Sequence, residues 1–491
     1  MITTRRFAAA CAALTLGLFA ACKSSPFDDA SRTISAEIVT GDTTMMVGEQ
    51  ATFIAIAQYG FGPGIPDSVV WSSSDSDILT VVLQGNGRSG FVTARGAGQA
   101  WVHAVMNVDF QDSALVTVVG PGEVRFRTTI PSGARIHAAI GSDSLVRLLT
   151  ATGTLFTVER AAVGTSSSSC NGAFGPSLDV SNGAFATGDE CLIRHSAAGG
   201  PRWQLPLGDP EGGVAVAADE AAIVLHSIVD GGGATGAVVV SRVSSLGTEL
   251  WRDTLRAVPQ AQRSAAGIAV NGDIYVPWRP TADSGRLARI TQAGAVRWDI
   301  PLPAGPRFTS PTPDSTRVIV TYLGGITAFD SAGGVLWSRQ FTQDNPAATD
   351  STAPSSAVLD RAGRVFVQTA AGLHAYSATG TPLWAADSLG AGAQAQAIGV
   401  GAPTVLTDST VVVVVGGSRV CGVRPGLGVP RWCGPALGPG DVVGEVVIGF
   451  DLVMYAARSS GELVGMWNRI GAETSGWATE GGNHQRTRRR Q

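Results

Sequence analysis

Gly199-Gly-Pro-Arg-Trp203, Gly247-Thr-Glu-Leu-Trp251, Gly294-Ala-Val-Arg-Trp298, Gly333-Gly-Val-Leu-Trp337, Gly380-Thr-Pro-Leu-Trp384 and Gly428-Val-Pro-Arg-Trp432 are copies of one phrase. Gly122-Glu-Val-Arg-Phe126 reads as a degenerate first copy, and Gly476-Trp477 falls where a last one belongs. Successive Trp positions differ by 48, 47, 39, 47, 48 and 45 residues. A period of roughly 40–50 residues filled with short strands is that of β-propeller blades.

The unit from Trp337 to Trp384 shows how one period is built. It holds Ser355–Asp360, Arg364–Thr369 and Gly372–Ser377, each an apolar run closed by a turn, and then the Trp strand. Ile326–Asp330 and Leu287–Thr291 occupy the place of Gly372–Ser377 in their own repeats. From Phe126 to Trp203 is 77 residues, too long for one period. Halving it gives about 39, with an intermediate marker near Val163-Gly164 that has lost its aromatic. The count is then eight blades; seven is the alternative if residues 126–165 are partly irregular. An open ring exposes sheet edges, so strands from the two ends of 122–487 are expected to share one blade. Phe126, Trp203, Trp251, Trp298, Trp337, Trp384, Trp432 and Trp477 are the expected blade-packing residues, each large and flat enough to fill the space between twisted sheets.

Composition agrees with an all-β chain. Gly is abundant at 63 residues of 491, Lys is almost absent, and only 15% of residues are charged. The net charge of −4 gives no electrostatic reason for a nucleic-acid partner.

Residues 1–21 read as a targeting segment. Arg5-Arg6 precede an apolar run, Phe7 to Ala21, that is too short for a stable span. Leu18-Phe19-Ala20-Ala21-Cys22 resembles the bacterial lipoprotein cleavage box. That resemblance implies a lipid on Cys22, with 22–34 as anchor and tether; the alternative is an ordinary secretory signal cut near Ala21. Lys23 after the cysteine leans to the outer membrane in a Gram-negative cell. The residues at 488–491, with Arg488 to Arg490, are a basic tail, read as a solvated end.

Residues 35–119 alternate with period two through about seven short strands, the pattern of an antiparallel sandwich. Val47-Gly-Glu-Gln-Ala-Thr52, Val70-Trp-Ser-Ser-Ser-Asp75, Val92-Thr-Ala94, Gly96-Ala-Gly98 and Val116-Thr-Val118 resemble the bacterial Ig-like domain of the second group. The resemblance implies a spacer or adhesive module. Trp71 reads as core, and His103 as structural, since no second His or Cys stands near it. Gly120-Pro-Gly122 marks the boundary.

The phrase Leu373-His-Ala-Tyr376, Thr379-Gly380, Leu383-Trp384 resembles the repeat of the PQQ-like β-propellers, in which each blade's Trp packs against its neighbour. The quinone-dependent dehydrogenases share that propeller class. They supply the enzymatic alternative, with PQQ and Ca²⁺ as cofactors. Their adjacent cysteine pair is missing here, and no Asp/Glu pair has the context of a Ca²⁺ site.

Cys11 goes with the signal and Cys22 with the lipid. Cys170, Cys191, Cys421 and Cys433 remain, an even number in an exported chain. Cys421 and Cys433 flank the turn Pro425–Gly428 and are a cross-strand disulfide candidate, which leaves Cys170 with Cys191. Zinc fails on spacing. His103, His137, His195, His226, His374 and His484 are scattered, and no nucleophile elbow occurs. Gly231–Gly233 opens no helix and reads as a loop; Asp75 and Asp77 read as turn residues. No catalytic or metal site is assigned. The reading is a lipid-anchored scaffold of the bacterial envelope with envelope proteins as partners, similar to the propeller lipoprotein of the outer-membrane barrel-assembly machine. A surface adhesin or glycan-binding protein is the second reading.

Overall fold

The computed structural model describes residues 33–472, apart from short internal stretches such as 256–264, 303–310 and 345–353. Cys22, Cys170, Trp477, His484, Gly231–Gly233 and the basic tail therefore lie outside the described residues, as does the side chain of His137. The chain divides into two compact units, Met1–Val118 and Val119–Gln491. Among the described residues no helix is long and apolar enough to cross a membrane.

The first unit is a sandwich of two antiparallel sheets. One runs in the order Thr33–Ile38, Gln50–Tyr59, Ser89–Ala94, Leu79–Leu83, with Gly62–Gly64 beside Gln50–Tyr59. The other runs Thr43–Met46, Phe110–Val119, Gly98–Met106, Val69–Ser73. Alternate residues of each strand point inward, so Phe53, Leu79, Val92, Val102 and Val116 meet in one core. Thr43–Met46 and Gly62–Gly64 are strands that the alternation did not mark, since each is too short to show a period. Trp71 is half-buried against that core, and its Nε1–H donates to the Arg88 carbonyl at 3.1 Å. His103 Nδ1 lies 2.6 Å from Ser113 Oγ, a cross-strand polar contact.

The second unit contains eight main antiparallel sheets among the described residues, seven of four strands and one, ending on Glu249–Leu255, of five. We number them as blades I to VIII. Blade I begins at Ile136–Ile140 and ends on Ala162–Ser167; blade II ends on Pro201–Pro206, blade III on Glu249–Leu255 and blade IV on Val296–Pro301. Blades V, VI and VII end on Val335–Gln340, Pro382–Ala386 and Pro430–Ala436. Blade VIII is composite. Val447–Ile448, Met454–Ala457 and Glu462–Met466 are completed by Val124–Thr129 from the start of the unit, antiparallel to Glu462–Met466.

The core is a cycle of inter-sheet layers. Leu149 and Leu155 of blade I meet Leu178 and Ile193 of blade II. Phe185 and Leu192 meet Val216 and Val224, then Ile223 and Val240 meet Ile268 and Val276. Tyr275 packs with Val318, Ile319 with Val365, Phe366 with Val411, and Val412 with Ile448. Val447 and Leu463 of blade VIII return to Ile140 and Leu148 of blade I, which closes the cycle. The middle strands are covered on both faces, so runs such as Val365–Thr369 and Gly372–Tyr376 are buried at every position. The last strand of each blade is covered on one face and alternates.

The closing strand revises the place of two markers. Phe126 belongs to the outer strand of blade VIII rather than to a first blade, and packs edge-on against Tyr455 at 6.0 Å. The marker without an aromatic lies on Ala162–Ser167, the outer strand of blade I. The sharing of one blade by strands from the two ends, expected from closure, is the pairing of Val124–Thr129 with Glu462–Met466.

Candidate functional site

The repeated phrase builds a junction between neighbouring blades. Its Gly ends a tight turn with φ of +95° at Gly199, +85° at Gly247, +91° at Gly294, +89° at Gly333 and +78° at Gly380, a region that L side chains avoid. The missing Cβ has a second use. A Cβ at Gly247 would lie 2.9 Å from the Trp203 ring, at Gly294 3.0 Å from Trp251, and at Gly380 2.4 Å from Trp337. Gly428 stands likewise against Trp384, and Gly122 against Trp432. Each Trp thus lies on the glycine of the following copy, not of its own.

A carbonyl in the same turn receives the indole N–H. Trp203 Nε1 donates to Ser245 at 2.9 Å, Trp251 to Gln292 at 3.0 Å, Trp298 to Ser331 at 3.0 Å, Trp337 to Ala378 at 3.3 Å and Trp384 to Pro425 at 2.8 Å. Four of these oxygens accept a second donor from an arginine of the preceding blade. Arg194 Nη1 donates to Ser245 at 2.6 Å and Arg242 Nη1 to Gln292 at 2.9 Å; Arg289 reaches Ser331 and Arg317 reaches Ala378. Each arginine is held by an aspartate of its own blade: Asp179, Asp219, Asp273 and Asp314. The Asp179–Arg194 pair is buried at 2.5 Å. These clasps escaped the sequence reading, although Arg194, Arg242 and Arg289 each stand nine residues before a marker Trp.

Several other buried titratable groups hydrogen-bond within the fold. Gly208 N–H donates to His226 Nδ1 at 3.3 Å, so Nε2 carries the proton and donates to Ser241 Oγ at 2.9 Å. A nucleophilic serine needs the opposite polarity, with imidazole accepting from the hydroxyl. Burial holds His226 down to about 4, with Arg252 adding to the effect. His374 is also held at about 4 by burial; its ring lies 5.1 Å from Phe341 and Nε2 is 3.3 Å from Thr369 Oγ1. Tyr376 donates to Asp344 Oδ2 at 2.9 Å, and burial followed by that carboxylate raises its pKa. His195 is fully buried with Nδ1 on the Gly199 carbonyl at 2.9 Å, and burial lowers its pKa.

Cys421 and Cys433 form a disulfide between directly paired residues of neighbouring strands in blade VII, Cα atoms 4.1 Å apart. Cys191 is disulfide-bonded as well, while Cys170 lies outside the described residues. Asp75 Oδ1 accepts the Asp77 N–H at 2.9 Å, a turn-forming contact. Among the described residues no three His, Cys, Asp or Glu stand together as a metal-binding group.

The outer strands of blades II to VIII also turn residues outward. In blades II to VIII the strand register skips the residue before the marker, a β-bulge that turns it outward. These residues are Arg202, Leu250, Arg297, Leu336, Leu383, Arg431 and Arg125, all exposed.

Residues 236–378 match the family described as outer membrane protein assembly factor BamB, under a third of the chain. BamB from Moraxella catarrhalis superposes with a TM-score of 0.51 at 15% identity, covering 70% of this chain and 98% of that one. The repeat region is a PQQ-like β-propeller. The Dos1 propeller matches this PQQ-like propeller equally in shape, TM-score 0.51 at 11% identity, covering 70% of this chain and 95% of that one. Among curated proteins no sequence matches the chain. At these identities the solved structures speak for the fold alone.

Proposed function

We propose that this chain is a lipid-anchored scaffold of the bacterial envelope, a propeller that binds other envelope proteins, with lipid on Cys22 and an outer-membrane location.

 The sandwich serves as its spacer and is of the bacterial Ig-like type. Its strand order supports this, because Thr33–Ile38, Gln50–Tyr59, Ser89–Ala94, Leu79–Leu83 facing Val69–Ser73, Gly98–Met106, Phe110–Val119 follows the ABED and CFG division of immunoglobulin sandwiches. The observation that carries the reading is the division of labour in the blades. The marker Trp residues and the Asp-held Arg194, Arg242, Arg289 and Arg317 are spent on junctions, and the repeat presents a row of bulge residues to the outside.

Two measurements test it. Radiolabelled palmitate is expected in the wild type and not in Cys22→Ser; equal uptake by both refutes the anchor. Cross-linking in intact cells, followed by purification from detergent-solubilised membranes, is expected to recover this chain in a defined envelope complex. Recovery of the free chain alone refutes the scaffold reading.

A further inference from the structure

The bulge row is not uniform. Blades II, VII and VIII turn arginine outward, whereas blades III, V and VI turn out Leu250, Leu336 and Leu383. Between them, blade IV turns out Arg297. The preceding residues widen the apolar stretch: Val296 is 45% exposed and Val335 59%, beside Leu336 at 51%. The stretch is continuous because each marker Trp lies on the next copy's glycine. Trp251 meets Gly294, Trp298 meets Gly333, and Trp337 meets Gly380, so each bulge residue leads through a half-buried indole to the next blade.

Arg431 is paired with Asp408, and Arg125 lies over the Trp467 ring at 4.6 Å. Arg297 has no such contact among the described residues. It is an exposed cation with Val296 and Val335 beside it and leucines at the equivalent positions on either side. An apolar arc with one free guanidinium fits an apolar polypeptide segment that carries a carboxylate among its aliphatic residues. Apolar burial supplies affinity there, and the charge pair sets register and partner choice.

We propose that the outer wall of blades III to VI, centred on Arg297 and Leu336, binds such an acidic, aliphatic segment of a partner protein. This rests on the scaffold reading and names the face it uses. The occupant follows from charge complementarity at Arg297 and from the aliphatic residues around it.

The test uses the full chain and a displayed library of twelve-residue peptides, selected on wild type and counter-selected on Leu336→Asp. Enriched peptides are expected to carry Asp or Glu among aliphatic residues. Their binding is expected to weaken at least about tenfold in Arg297→Glu and in Leu336→Asp, and to hold in Val180→Asp, an exposed site outside the arc. Changing the peptide's carboxylate to Lys is expected to restore binding to Arg297→Glu. Because these side chains are exposed, unfolding midpoints should match wild type, which separates lost binding from lost fold. No enrichment, lysine-rich peptides, or equal binding by Arg297→Glu overturns the proposal. Binding to phosphatidylglycerol vesicles that Arg297→Glu abolishes, in place of peptide binding, also overturns it by assigning the arc to lipid. A membrane complex that survives both arc substitutions refutes this face and leaves the scaffold reading intact; peptide binding without a membrane complex does the reverse.

Discussion

Replacing Gly380 with Ala separates the two tasks of the repeat's glycine. Its φ is +78°, and a Cβ there lies 2.4 Å from Trp337 Cδ2 and 2.5 Å from Cγ. The left-handed backbone costs an L residue about 1–2 kcal/mol. Pushing a methyl into a packed ring costs about 1–3 kcal/mol more, because ring or strand must shift. The total is about 2–5 kcal/mol. Gly333→Ala is the internal control. Its φ is +89°, but the nearest atoms to its Cβ are Ile300 Cγ2 at 3.3 Å and Trp298 Cδ2 at 3.4 Å, so the backbone cost dominates. In a Trp337→Ala background the ring is gone, and Gly380→Ala should cost only the backbone part, about 1–2 kcal/mol. Urea unfolding followed by circular dichroism gives the four free energies of the cycle. Equal costs for Gly380→Ala and Gly333→Ala, or a Gly380→Ala cost that persists without Trp337, refute the docking of each Trp on the following glycine.

Acid should weaken the ring. His226 and His374 are held at about 4 when folded against an ordinary 6.5, so between these values the unfolded chain binds protons that the folded chain refuses. Stability is full above pH 6.5 and falls as pH drops toward 4, by on the order of 3 kcal/mol for each histidine; His374→Phe should make the fall shallower, and a flat profile from pH 7 to 4 refutes the assignment. Arg194→Ala leaves the carboxylate of Asp179 buried without its guanidinium, at a cost of about 3–5 kcal/mol by denaturant titration, and adding Asp179→Ala should recover part of it. Substituting both Cys421 and Cys433 with Ser removes a cross-link spanning 12 residues and should lower stability by about 3 kcal/mol. An unchanged unfolding midpoint would show that the strand pairing holds blade VII without the bond.

Much of the architecture is readable in the chain itself. The recurrence of Gly-x-x-x-Trp sets the repeat, and buried runs such as Val365–Thr369 mark strands covered on both faces. Alternation from Gln50 to Tyr59 marks a strand covered on one. These are local signals, because burial on one face or two writes itself into the order of apolar residues. What each repeated residue touches is not local. Trp337 rests on Gly380, in the next copy, and Arg194 reaches across to the Ser245 carbonyl. Phe126 closes a sheet whose other strands begin more than 300 residues later. The bulges that turn Leu336 and Arg297 outward exist only as a mismatch between paired strands. A single sequence carries the residues of each partner but not the pairing, which is decided by the closed ring that brings first and last strands into one sheet.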